Sequence, residues 1–201
     1  TTLKPQCVID TLCRFYSHEY ATVNRGLYKT AREASARYEA VRQHVQQFLS
    51  ASSEEEIIFT RGTTDSINLI ADLLTRSILT SRSKIVLSQM EHHSNIIPWQ
   101  MAKERTGAEI LTIPLTTEDT LDLDFLEETL SRGDVAIVSL CHMSNVLGTI
   151  NPIRLIADLC HRYGALLSVD GAQSVPHLSS NVQEMGCDFL SFSSHKMYGP
   201  T

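Results

Sequence analysis

The sequence contains no Cys-x-x-Cys spacing, and its five cysteines (Cys7, Cys13, Cys141, Cys160 and Cys187) are an odd number. That excludes a zinc ribbon and argues against a disulfide framework, so reduced thiols in a cytoplasmic protein are expected. It also has no apolar run near the ~20 residues that a membrane-spanning helix needs. Basic residues are in deficit: 17 Lys and Arg against 23 Asp and Glu give a formal charge of -6, the wrong sign for a nucleic-acid partner. Internal repeats and low-complexity stretches are missing. What remains is 201 residues, 42% of them hydrophobic and 20% charged, which is enough for one packed globular domain.

Short β-rich runs alternate with helical patterns along most of the chain. Strands are expected at 56–60, 84–88, 109–114, 135–141, 166–170 and 189–193, mostly as continuous apolar runs suited to burial on both faces. Helices are expected between them at 64–74, 96–106, 123–132, 152–163 and 182–185. Helical segments at 7–18 and 32–49 come first. This alternation predicts an α/β three-layer sandwich with a mainly parallel mixed sheet. Ligands in such sheets bind at the carboxyl ends of the strands.

Each strand end carries a residue with a possible role and an ordinary alternative. Arg61-Gly62-Thr63-Thr64 opens a helix and suits a phosphate, although Thr63 also reads as a simple cap. Glu91-His92-His93-Ser94-Asn95 follows the second run. Adjacent histidines cannot both face one metal from a regular backbone; one could lay its imidazole flat on a ring, although on these residues alone a partly exposed loop histidine is the better reading. Asn145 precedes Gly148 in what is otherwise a common turn signature. Asp170-Gly171-Ala172-Gln173 offers a carboxylate and an amide. Ser193-Ser194-His195-Lys196 offers an amine, and burial at a strand end lowers a lysine pKa. The spacing of Asp170 and Lys196 fits strand, crossover, strand, which puts them on nearby strand ends. An acid and an amine so placed suit a pyridine cofactor, the acid holding the ring nitrogen protonated and the amine binding an aldehyde.

The runs FTRGTTDSINL, SQMEHHSNIIPWQ, SNVLGT, VDGAQSVPH and SSHKMYGPT, with Asn24-Arg25-Gly26 near the start, resemble the class V aminotransferase superfamily. More narrowly they resemble its SufS-type (group II) cysteine desulfurases, over essentially the whole chain. The resemblance implies the large domain of fold type I, the aspartate aminotransferase-like fold, with pyridoxal 5'-phosphate as cofactor. It implies that Lys196 holds the cofactor covalently and Asp170 pairs with its ring nitrogen. Gln173 and Asn145 lie near the ring 3-hydroxyl, and His93 stacks on the ring and helps proton transfer. Thr63, Thr64, Ser193 and His195 hold the phosphate.

The implied reaction converts L-cysteine to L-alanine, its sulfur passing to a nucleophilic cysteine for iron–sulfur cluster assembly. The implied partners are a second copy in a homodimer and a SufE-like or SufU-like sulfur acceptor. None of the five cysteines matches the family's nucleophile; Cys141 reads as a small apolar filler. The chain is therefore expected to be an incomplete large domain, residues 1–201, inactive alone. A selenocysteine lyase, a kynureninase, and a non-catalytic dimerising scaffold stay open as alternatives.

Overall fold

The computed structural model describes residues 1–200. The chain divides into two compact units: residues 1–59 with 194–201, and residues 60–193.

The second unit carries a five-stranded sheet. Its strands are β1 (Lys84–Ser88), β2 (Glu109–Ile113), β3 (Val135–Cys141), β4 (Leu166–Asp170) and β5 (Phe189–Ser191), in the order β2-β1-β3-β4-β5. Every adjacent pair is parallel, in keeping with the mainly parallel sheet expected. Helices α3 (Thr63–Ser77), α4 (Ile97–Thr106), α5 (Leu123–Ser131), α6 (Ile153–Arg162) and the short α7 (Val182–Met185) connect and cover it.

Alternation along the strands divides the core in two. Ile85, Leu87 and Ile137 pack with Ile67, Ile70 and Leu74 of α3 and Trp99 of α4. Val86, Val138, Leu167 and Val169 face the other way, onto Leu126 and Leu130 of α5 and Ile156 and Cys160 of α6. The result is a three-layer α/β arrangement built from strands buried on both faces.

Strand order fixes where a ligand belongs. From β1 the chain moves outward to β2, then returns to place β3 on the other side of β1. The β1–β3 boundary is thus the point where the direction of winding reverses, and the loops after these two strands open a crevice there. Pairing between β1 and β3 ends at Val86–Val138, three residues before β3 itself ends at Cys141.

The first unit contains α1 (Gln6–Arg14), continued by a π-helical turn at Phe15–Glu19, and the long α2 (Lys29–Leu49). Residues 56–60, expected as a strand, are not one. Ser53 caps a 3₁₀ turn at Glu54–Glu56, and an extended segment follows. Its alternation is too weak to bury two faces: Ile57 is buried, but Ile58 is 70% exposed. The Arg42 guanidinium takes the Ile57 carbonyl and lies 5.1 Å from the Phe59 ring centre, so side chains from α2 replace a neighbouring strand.

Candidate functional site

The best-defined cradle lies at the start of α3. Gly62 precedes the helix with φ +127°, a conformation open to glycine, and an added Cβ would sit 2.9 Å from the Ser193 hydroxyl. The next residue, Thr63, is buried, and its N–H and hydroxyl both meet Ser193 Oγ at 2.7 Å. Thr63 therefore does not cap the helix in the ordinary way; it ties the helix start to the residue two places past β5. The first helical bond is Ser66 N–H to Gly62 O, so the N–H groups that precede it in the first turn have no intrahelical acceptor. Thr64 itself is exposed.

Asp170 ends β4 and is 5% exposed. Its Oδ1 accepts the Ala172 N–H at 2.9 Å, and its backbone lies in register with Cys141 of β3 and Ser191 of β5. The Ser191 hydroxyl beside it is buried without a partner. Gln173 follows in the same turn, half-buried, whereas Asn145 is exposed in the loop after β3. Asp170, the Thr63–Ser193 pair and Gln173 thus gather at the carboxyl ends of β4 and β5.

A second group fills the crevice at the winding reversal, and Glu91 is its centre. Glu91 Oε1 accepts from the Ser88 hydroxyl and, at 3.0 Å, from the Cys141 N–H that β1 no longer pairs. Its Oε2 accepts from Asn95 Nδ2 at 2.6 Å. Asn95, fully buried, in turn accepts at Oδ1 from the Ser139 hydroxyl (2.6 Å) and the Trp99 indole N–H (3.1 Å). Burial pushes the Glu91 carboxyl up to about 7, helped by the like charge of Asp170 and opposed by the three donors. Between Glu91 and Asn95 stand His92 and His93, both exposed. The His92 ring is oriented: its Nδ1 meets Ser94 Oγ at 2.8 Å and Ser94 N–H at 3.2 Å.

Lys196 belongs to the first unit, in a 3₁₀ turn at Ser194–Lys196, and is only half-buried. The strand-end burial expected for it fails because β5 stops at Ser191, five residues earlier. The turn is held by the opposite end of the sequence. The His195 carbonyl accepts from Thr2 N–H (2.9 Å), Thr2 Oγ1 (3.2 Å) and Lys4 Nζ (3.2 Å), and Tyr198 N–H donates to Thr2 Oγ1 at 2.9 Å. Gly199 closes it: an added Cβ would meet Ser194 Cβ at 2.8 Å. Burial holds the His195 imidazole below its usual range, helped by nearby positive charges.

Ser88, Glu91, Asn95 and Ser139 escaped the sequence reading. A carboxylate three residues past a buried strand, with an amide one helical turn further on, was the available signal. Nothing local pointed to Thr2 or Lys4.

Burial disfavours the thiolate form of the inner cysteines. Burial pushes the Cys160 thiol up to about 12 and that of Cys187 to about 11. Cys141 is driven higher still by burial and then by the charges of Glu91 and Asp170. No cluster of metal-ligating side chains occurs among the described residues. No helix there is long and apolar enough to cross a membrane.

The residues of the second unit fit pyridoxal phosphate on three counts. The Gly62–Thr63–Ser193 cradle has no room for a Cβ and stands at a helix start, where an anion such as phosphate is favoured. Asp170 is a buried acid at the adjacent strand end, as a protonated ring nitrogen requires. The orphaned Ser191 hydroxyl between them lacks the partner that a buried polar atom normally has.

Known proteins resemble the chain over its whole length. The aminotransferase class-V family model matches residues 1–201. The chain is 48% identical over 201 residues to a probable cysteine desulfurase of Halalkalibacterium halodurans, covering 100% of this chain and 49% of that protein. It is 47% identical over 198 residues to a cysteine desulfurase of Klebsiella pneumoniae, covering 98% and 48%. Among solved structures, the cysteine desulfurase CsdA of Escherichia coli superposes with a TM-score of 0.90 at 39% identity, over all of this chain and 50% of that one. A cysteine desulfurase of Thermococcus onnurineus, solved in its apo form, gives 0.93 at 35%, with the same coverage. The chain spans about half the length of the relatives it matches.

Proposed function

Since the chain belongs to the aminotransferase class-V family, we propose that it is the cofactor-binding part of a pyridoxal phosphate-dependent cysteine desulfurase of the SufS type. One observation carries this: a buried carboxylate, Asp170, stands at the end of β4 while a phosphate-shaped cradle, Gly62–Thr63–Ser193, forms beside the adjacent β5. The similarity to cysteine desulfurases supports L-cysteine as the substrate.

The cofactor, when bound, supplies an electron sink that lets bonds next to the substrate α-carbon break. The protein's share is binding, orientation and proton control. Thr63, Thr64, Ser193 and His195 hold the phosphate, and Asp170 keeps the ring nitrogen protonated. Gln173 and Asn145 would serve the ring hydroxyl. Lys196 would anchor the cofactor through Nζ, an amine that could also carry a proton. His93 is one candidate for the ring that lies flat against the cofactor. The fixed orientation of the neighbouring imidazole favours His92 for that place.

Raised thiol pKa values at Cys141, Cys160 and Cys187 weigh against these three as the sulfur acceptor. On this reading residues 1–201 alone do not complete turnover, and the whole enzyme acts in the cytoplasm as a homodimer. It hands sulfur to a SufE-like or SufU-like protein for iron–sulfur cluster assembly.

Alanine formed from L-cysteine by the full-length protein with pyridoxal phosphate tests the proposal. Alanine in step with transferable sulfur is expected, and its loss in Lys196→Ala. Preference for L-selenocysteine would move the reading to a lyase. Turnover of neither substrate, with no cofactor bound, would return it to a scaffold.

A further inference from the structure

We propose that Glu91 is a positioning residue whose carboxyl group clamps the His92–His93 turn to the end of β3 and thereby sets where the histidine rings stand over the strand-end crevice. The inference rests on the functional reading above and concerns a residue that touches neither substrate nor cofactor.

The geometry is that of a rivet with two shanks. Leaving β1, the chain must turn over the crevice before entering α4, and the turn is only five residues from Glu91 to Asn95. Both of its end residues reach across to β3: Glu91 to the Cys141 N–H, and Asn95 to the Ser139 hydroxyl. The two ends are also bonded to each other through Oε2 and Nδ2. The imidazoles between them are therefore carried on a span fixed at both ends to one strand. Cys141 is also the register partner of Asp170, so the clamp and the buried acid share a backbone reference point.

The network has a definite polarity. Trp99 and Ser139 both donate to Asn95 Oδ1, which forces the Asn95 amide to present Nδ2 to Glu91. Glu91 must then accept on both oxygens, from Asn95 on one and from Ser88 and Cys141 on the other. A glutamine at position 91 would oppose its NH₂ to the Asn95 NH₂ in one orientation and to the Cys141 N–H in the other, leaving two donors face to face either way. Exchange of the two chemistries, Gln at 91 and Asp at 95, would restore every bond, since the new carboxylate accepts from Trp99, Ser139 and Gln alike. The charged or titratable groups facing Glu91 are the Cys141 thiol from β3 and Asp170 from β4, with His92 and His93 on its own turn. Fully satisfied buried networks of this kind rigidify what they connect.

The test compares Glu91→Ala, Glu91→Gln and the double variant Glu91→Gln/Asn95→Asp in the full-length protein. If the histidine rings are displaced by roughly 1 Å, kcat for alanine formation falls on the order of 10–100-fold, with KM changed less than about threefold. The double variant recovers to within about threefold of the parent, as expected when the two side chains act as one unit. In the cofactor-free protein, the ring resonances of His92 and His93 move towards exposed, averaged shifts in both single variants and return in the double variant. Should Glu91→Ala not fold, the Gln and Gln/Asp pair decides alone.

The proposal is overturned if kcat in the single variants stays within about threefold, if KM absorbs the loss, or if the double variant is no better than Glu91→Gln. A parent protein that binds no cofactor at Lys196 would instead defeat the functional reading. The ring resonances would still test the clamp.

Discussion

The N–H and hydroxyl of Thr63 both meet the Ser193 hydroxyl at 2.7 Å, joining the start of α3 to the residues just past β5 across 130 positions of sequence. Ser193→Ala strands the buried Thr63 N–H, at a cost of about 1–3 kcal/mol. A chain of this size loses roughly 2–4 °C of melting temperature per kcal/mol, so a fall of about 3–10 °C is expected in the cofactor-free protein. Weaker binding of pyridoxal phosphate accompanies it. A thermal melt with an unchanged midpoint would remove the pair from the account.

The Lys196 turn depends on Gly199 lacking a side chain, because a Cβ there meets Ser194 Cβ at 2.8 Å and Ser194 O at 3.0 Å. Gly199→Ala is expected to cut covalent cofactor capture at Lys196 by at least about tenfold, since misplacement by ~1 Å can cost ~100-fold. Gly133→Ala is the control: its φ is unusual (+75°), but nothing lies within 4 Å of its added Cβ. It should cost about 1 kcal/mol of stability and leave capture intact. Equal loss in both variants would show that the turn has no special role.

The two histidines are separable. Only His92 has its ring held, through Nδ1 to Ser94, so His92→Ala is expected to shift the visible band of the bound cofactor and slow turnover about 10²–10⁴-fold. His93→Ala should leave the band in place. The reverse outcome in absorption and rate would assign the ring-stacking place to His93.

Glu91 also predicts a pH signature. Its carboxyl lies at about 7 in the folded protein against an ordinary 4.5, so the folded state binds a proton that the unfolded chain has released over that interval. This contribution to stability is complete below about pH 4.5 and is lost as pH rises through about 7. Asp65 and Asp72, lowered first by hydrogen bonds from Arg61 and Arg76, act only at lower pH and in the opposite sense. In urea titrations, the stability of the parent relative to Glu91→Gln should therefore decline between pH 5 and pH 8, by at most on the order of 3 kcal/mol. A difference independent of pH would contradict the assignment.

Much of the fold was legible because strands covered on both faces read as unbroken apolar runs. Val135–Cys141 and Leu166–Asp170 appear in the structure with the expected bounds. The run at 56–60 misled because three apolar residues in a row imitate a strand, whereas only Ile57 is buried and Arg42 supplies the partner. At the site, Asp170 and the Thr63–Ser193 cradle could be anticipated because each sits beside a strand end. Lys196 was legible as a motif but not as a half-buried residue in a turn held by Thr2 and Lys4, nearly 200 positions away along the chain. Glu91 was hidden by its neighbours, since two adjacent histidines draw attention from the acid that positions them.

The most direct test of the central claim is borohydride reduction of the full-length protein with pyridoxal phosphate, followed by peptide mapping. The account predicts a single phosphopyridoxyl adduct on Lys196, absent in Lys196→Ala and diminished in Asp170→Ala. Label scattered over surface lysines, or none at Lys196, would contradict it.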